Sequence, residues 1–111
     1  GVPNDSDYVF DVRCLPNPYW EHHLRKLTGH DAEVIDYLQS HAEVTQMIDS
    51  IGIFIERWLP LFIQENRSYL SVSIGCTGGQ HRSVHIAESL SDRFIKFDNK
   101  HVSVRHRDLE L

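Results

Sequence analysis

Nowhere is this chain apolar for long enough to cross a bilayer. Its longest hydrophobic tract, residues 51–63, is broken by Gly52, Glu56, Arg57 and Pro60, whereas a spanning helix needs about 20 apolar residues. No membrane association is expected. Cysteine is scarce as well: Cys14 and Cys76 are the only two. They could pair in principle, but a two-cysteine cytosolic domain more often keeps free thiols, and two scattered thiols do not make a structural zinc site. The histidines do not help, because His22, His23, His30 and His41 are not at metal spacing and read as surface residues. No metal is expected. Internal repeats, low-complexity segments and a visible secretory signal are all lacking. So is an initiating Met: the chain opens at Gly1-Val2-Pro3 and is expected to be a portion of a longer protein.

What is present is ordinary for one globular domain with one core: 111 residues, 41% hydrophobic and 24% charged. Charge is unevenly placed. Residues 1–66 carry four Lys/Arg against eleven Asp/Glu, while residues 67–107 carry seven against three. An acidic domain with one basic portion suits a small anionic ligand or a local nucleic-acid contact. Wrapping a long polyanion is disfavoured, since affinity there scales with the number of phosphates neutralised.

Residues 8–12 alternate as a first strand, stopped by the turn-rich 15–19 segment, whose two prolines oppose ladder and helix alike. A short helical turn is expected near 22–27 and a loop at 28–30. Asp31 is positioned to cap a helix over 32–39. Val44, Met47, Ile48, Ile51, Ile55, Trp58, Leu59 and Phe62 recur at three- and four-residue spacing and predict a long amphipathic helix, kinked or ended at Pro60. Its stripe is broad enough to cover a dimer interface as well as a core, and Trp20 and Trp58 are read as core. A second strand is expected over 69–74, a helix over 83–97, and a third strand over 102–104. Strands separated by helices imply crossover connections and a mainly parallel sheet. The predicted class is α/β: a small, Rossmann-like, mainly parallel sheet.

The most informative segment is Gly75-Cys76-Thr77-Gly78-Gly79-Gln80-His81-Arg82-Ser83, between the second strand and the helix. A Gly-rich turn at a helix N-terminus aims free backbone N–H groups and the positive end of the helix dipole at one point. His81 and Arg82 add positive charge there, where cations oppose the dipole unless an anion offsets them. Ligands of parallel sheets sit beyond the carboxyl ends of the strands. Asp11-Val12-Arg13 is expected beyond the first strand and Arg105-His106-Arg107 beyond the third, so three segments would converge on one anion.

Other readings of the loop remain open. It is not a phosphate-binding GxxxxGK[ST] loop, because Gln80-His81-Arg82-Ser83 lacks the Lys, and a dinucleotide fingerprint fails on spacing. Cys76, five residues, then Arg82-Ser83 does match the CX5R[ST] pattern of phosphatases, where a thiolate at a helix N-terminus attacks phosphorus. Cys76 could equally be a buried, inert thiol. Gly78 and Gly79 could serve only a tight turn, and Asp11 could be a salt-bridge partner of Arg13 or Arg82. A purely structural dimerisation or protein-docking module is the third class.

The residues also carry a resemblance. Residues 7–13, Leu15-Pro16-Asn17-Pro18, Leu27-Thr28-Gly29, residues 66–70, Ile74 to Gly79, His81-Arg82-Ser83-Val84 and Arg105-His106-Arg107 together, in order, resemble the C-terminal domain of the RapZ family of RNase adapter proteins. That resemblance implies a cytoplasmic domain similar in fold to part of 6-phosphofructokinase, dimeric, not an enzyme, and spanning residues 1–111. It implies that any ATP or GTP belongs to a separate N-terminal P-loop domain, so no cofactor is expected here. Its implied partners are glucosamine-6-phosphate, small regulatory RNA and ribonuclease E.

Carried onto this chain, the resemblance implies a sugar-phosphate site of Thr77, Gly78, Gly79, His81, Arg82 and Ser83, with Ser68, Asn17, Asp11 and Arg13 near it. RNA contact is implied for Lys96, Lys100, Arg105, His106 and Arg107, with His81 and Arg82 shared. Two departures stand out. Gln80 occupies a position where relatives often have Lys, and the chain closes on Asp108-Leu109-Glu110-Leu111 rather than a basic tail. Anion sensing is therefore the stronger expectation, and RNA binding the weaker.

Overall fold

The computed structural model describes residues 6–65, 69–78, 80–98 and 101–109. Three strands, β1 (Tyr8–Asp11), β2 (Leu70–Cys76) and β3 (Val102–Asp108), form an all-parallel sheet in the order β1-β2-β3. Two helices, α1 (Ala32–Gln39) and α2 (Ala42–Gln64), link β1 to β2, and α3 (Arg82–Phe97) links β2 to β3. This is the expected small α/β, Rossmann-like architecture.

The central strand explains the sheet. Every residue of β2 is buried, as expected for a strand paired on both edges and covered on both faces. Register places Tyr8 beside Val72 and Phe10 beside Ile74, so these four share one face. That face meets α2: Phe54 approaches the rings of Tyr8 and Phe10 edge-on at 5.1 and 5.8 Å. Beneath lie Val44, Ile51, Ile55, Leu59, Leu90 and Phe94, all at most 2% exposed. The opposite face carries Ser71, Ser73 and Gly75 of β2 beside Ser103, Arg105 and Arg107 of β3, so it is polar.

Several local expectations shift. β2 runs two residues further than its apolar alternation, so Gly75 and Cys76 are strand and the connecting turn begins at Thr77. β3 runs to Asp108, because parallel pairing with β2 continues there. Arg105, His106 and Arg107 are therefore inside a strand, not beyond it. Their side chains alternate between faces and cannot act as one cluster. Pro60 does not end α2, which continues to Gln64; the missing N–H only frees the Glu56 carbonyl on an exposed turn. Pro18 opens a 3₁₀ turn, Pro18–Trp20, because proline suits a first helical position, and the Asn17 side chain accepts the Tyr19 N–H at 3.0 Å. Asp31 precedes α1 but its carboxylate accepts from Thr28 N at 2.7 Å rather than capping the helix.

Neither tryptophan is core. Trp20 is 76% exposed and Trp58 39%. Trp20 fails because a proline turn throws it outward. Trp58 lies at the edge of the apolar stripe, beside exposed Leu61. Both cysteines are free thiols, Cys14 exposed and Cys76 buried. Among the described residues no helix is long and apolar enough to cross a membrane.

One contact fixes the geometry around the turn. Gly29 lies so close to the start of α3 that a Cβ there would stand 2.5 Å from the His81 carbonyl oxygen and 2.6 Å from His85 N. Both are backbone atoms and cannot rotate away. Gly29→Ala is therefore expected to destabilise the fold by about 1–3 kcal/mol through overpacking, measured as a lowered denaturation midpoint at unchanged m-value.

Candidate functional site

The β2–α3 turn is positioned by its own side chains. The backbone turns at Gly78 with φ +80°, a left-handed conformation that favours glycine. Gly78 N–H donates to the Asp108 carboxylate at 2.9 Å. An acidic group from the end of β3 thus already uses one loop amide. Gln80, in place of a cation, is a clasp: its side-chain amide donates to the Leu27 carbonyl at 3.0 Å, while its own carbonyl accepts from Gly29 N at 2.9 Å. The 24–29 segment is held against the turn by these bonds and by His81, whose Nε2 lies 3.1 Å from the Leu24 carbonyl oxygen. With only a carbonyl opposite, that nitrogen carries the hydrogen.

Arg82 is 3% exposed. Its guanidinium points across the sheet edge, donating through Nη1 to the carbonyls of Arg13 at 2.7 Å and Leu15 at 3.0 Å. Its Nε is buried with no hydrogen-bond partner, and no carboxylate among the described residues pairs with it. A buried cation satisfied by two neutral carbonyls is unusual, since buried charges ordinarily find a counterion. A buried positive charge is therefore held at the carboxyl edge of the sheet.

Asp11 does not supply that counterion. Its carboxylate is bound by the Arg13 guanidinium at 2.7 to 3.0 Å and by Arg13 N at 2.9 Å. Those bonds hold its pKa below the usual carboxylate value. Both side chains are about half exposed, so the pair is worth little to stability.

Between the turn and the Pro18–Trp20 segment lies a cavity of about 410 Å³. Thr77, Gly78, Gln80 and His81 line one side, and Asn17, Tyr19, Trp20 and Arg25 the other. No carboxylate is among them. A larger hollow of about 580 Å³ lies between α2 and α3 at Glu56, Asp92, Arg93 and Lys96, but it is wide open and its arginine is already bound to Glu56 and Asp49. The smaller cavity is the better candidate for an anion, because no carboxylate lines it and the one nearby, Asp108, is held by the turn's own Gly78 N–H.

Of the expected ligand residues, the structure brings Thr77, Gly78, His81 and Asn17 to this cavity. Arg82 and Ser83 stand behind it, buried, while Asp11 and Arg13 pair with each other. Gly79, Ser68 and Lys100 lie outside the described residues. The expected RNA-contact set does not converge. Lys96 is in the last turn of α3, and in a parallel sheet that helix returns the chain to the edge opposite the turn. Arg105 and Arg107 share the polar sheet face, while His106 points to the other. Sequence reasoning missed Tyr19, Trp20 and Arg25; an aromatic pair after a proline was the available signal.

Cys76 does not have the surroundings of a nucleophile. It is 1% exposed, its Sγ accepts Ser83 N–H at 3.4 Å, and its thiol donates to Ser83 Oγ at 3.2 Å. The arginine that would clamp a phosphoryl group is turned towards Arg13 and Leu15.

Parallel strands joined by crossover helices, with a glycine turn and a cavity at the carboxyl edge, define a small α/β domain. The chain belongs to the RapZ C-terminal domain family, which it matches over residues 1–110. It is 60% identical over 109 residues to a nucleotide-binding protein of Thioalkalivibrio sulfidiphilus, covering 98% of this chain and 38% of that protein. It is 61% identical over 109 residues to one of Cupriavidus metallidurans, covering 98% and 36%. A nucleotide-binding protein of Ralstonia nicotianae is 60% identical over 111 residues, covering 100% and 37%. The chain thus spans less than two fifths of these relatives.

Next to the turn, on α3, His85 is 5% exposed and burial pushes its pKa down from the ordinary histidine value. Its surroundings include His30, Glu88 and Asp92. The folded state therefore binds this proton less readily than the unfolded chain, so stability rises with pH across the titration. Stability is expected to fall as pH drops below about 6.5, the unfolded value. His85→Gln should flatten that part of the profile, measured as denaturation midpoint against pH.

Proposed function

We propose that this chain is the sensing part of a non-enzymatic regulatory protein, and that it holds a phosphorylated amino sugar, glucosamine-6-phosphate, in the cavity between Thr77–His81 and Asn17–Arg25. The observation that carries the reading is the buried, carboxylate-free Arg82 behind a glycine turn that opens a helix. Family membership supports the regulatory role, and the inaccessible Cys76 speaks for sensing over catalysis. In this reading the phosphate takes the Thr77 hydroxyl, the loop amides and the positive field of Arg82 and Arg25. It displaces the Asp108 carboxylate from Gly78 N–H, which couples ligand binding to the end of β3.

Small regulatory RNA and ribonuclease E are the proposed partners of the longer protein, with a homodimer as its assembly. Arg105 and Arg107 on the polar sheet face offer phosphate contacts, and exposed Phe54, Trp58 and Leu61 on α2 offer an apolar surface for a second copy. Any bound nucleotide named for the relatives is assigned to their remaining length.

Titration calorimetry with glucosamine-6-phosphate tests this. Saturable binding is expected in wild type and in Cys76→Ser. Thr77→Ala should weaken it by about tenfold, as for one hydrogen bond to a charged group. Absence of heat at millimolar ligand, or phosphate release that vanishes in Cys76→Ser, would contradict it.

A further inference from the structure

The end of β3 brings an acid of its own to the turn. Register sets Asp108 beside Cys76, the last residue of β2. The next residue is anchored twice. Leu109 N–H donates to the Cys76 carbonyl at 3.0 Å, and the Leu109 side chain packs so closely over Gly75 that no Cβ would fit there. Strand pairing before Asp108 and these contacts after it pin the backbone on both sides of the residue. Its side chain is exposed and accepts Gly78 N–H at 2.9 Å. A Cβ at Gly78 would meet nothing within 4 Å, so this contact is open to arriving ions.

We propose that Asp108 is a tethered competitor for the Gly78 amide, and that it sets the concentration at which an anion fills the turn. This rests on the phosphate-binding part of the proposed function. A group fixed to the chain competes at an effective concentration of about millimolar or above, whatever is dissolved outside. Every anion that needs the Gly78 amide then binds with an affinity lowered by the fraction of time Asp108 leaves it. Weak ligands such as simple carboxylates fall below useful occupancy, because they offer the amide only what Asp108 already gives. A phosphoryl group brings nearly two charges and three acceptor oxygens, so it reaches Gly78 N–H and the Thr77 hydroxyl together. Displacement is cheap, since the released carboxylate returns to water at an exposed position. With the backbone pinned, only the side chain swings away, and occupancy of the turn appears as a freed negative charge at the end of β3.

Amide NMR of the 111-residue chain tests this by titrating wild type, Asp108→Ala and Asp108→Asn with inorganic phosphate and with sodium acetate. Asp108→Ala should bind phosphate about fivefold more tightly or better, read from the Thr77 and Gly78 amides. Asp108→Asn, which loses the charge but keeps a neutral acceptor, should gain less. Acetate should return the Gly78 amide of Asp108→Ala towards its wild-type position and leave wild type unmoved at the same concentration. Equal phosphate affinity in wild type and Asp108→Ala overturns the competitor and leaves the phosphate site standing. Equal gains in the two variants, with Gly78 indifferent to acetate, also overturn it, because Asp108 would then act only as a remote charge. Phosphate that moves the turn in none of the three proteins overturns the site and the competitor together.

Discussion

The organisation of the site depends on one buried cation. Arg82 begins α3, yet its guanidinium reaches the exit of β1 and donates to the carbonyls of Arg13 and Leu15. That reach joins two segments almost 70 residues apart. It also leaves a positive charge with an unpartnered Nε in a region sealed from water. Such a group costs stability unless something negative is near. Among the described residues its direct hydrogen-bond partners are only neutral oxygens, so an anion that displaced Asp108 from Gly78 N–H would meet a field already in place.

Around this cation the remaining contacts act as a frame. Gln80 and His81 hold the 24–29 segment through backbone carbonyls, and Gly29 permits the close approach. Among the described residues of the turn, Gly78 N–H donates to Asp108 and Ser83 N–H to the Cys76 sulfur. Asp108 is the informative one. It shows that the turn accepts a carboxylate, and it links occupancy of the turn to the last residue of β3. Gln80, where the family resemblance led to the expectation of a cation, instead ties the turn to the 24–29 segment.

The parallel sheet, the long helix and the turn were legible in the sequence because each rests on local rules: alternation in β2, three- and four-residue spacing from Val44 to Phe62, and glycine before a helix. The lengths of β2 and β3 were not, since Gly75, Cys76 and Arg105 to Asp108 have no strand pattern of their own and are extended by pairing with each other. Arg82 was expected at an anion site by residue type; its role as a buried tie to Arg13 and Leu15 was not legible, because it depends on how distant segments meet. The two tryptophans misled for opposite reasons. Trp58 sits at the margin of a true core stripe, and Trp20 was read by hydrophobicity while a proline turn decided its direction.

The central claim is that anions bind at the β2–α3 turn and not at the wider hollow between α2 and α3. Two-dimensional amide NMR during titration with inorganic phosphate tests this most directly. The account predicts saturable shifts confined to Thr77, Gly78, His81 and the first turn of α3, with Asp108 moving at the same midpoint. Shifts that begin at Arg93 and Lys96, or that leave Gly78 unmoved, would contradict it.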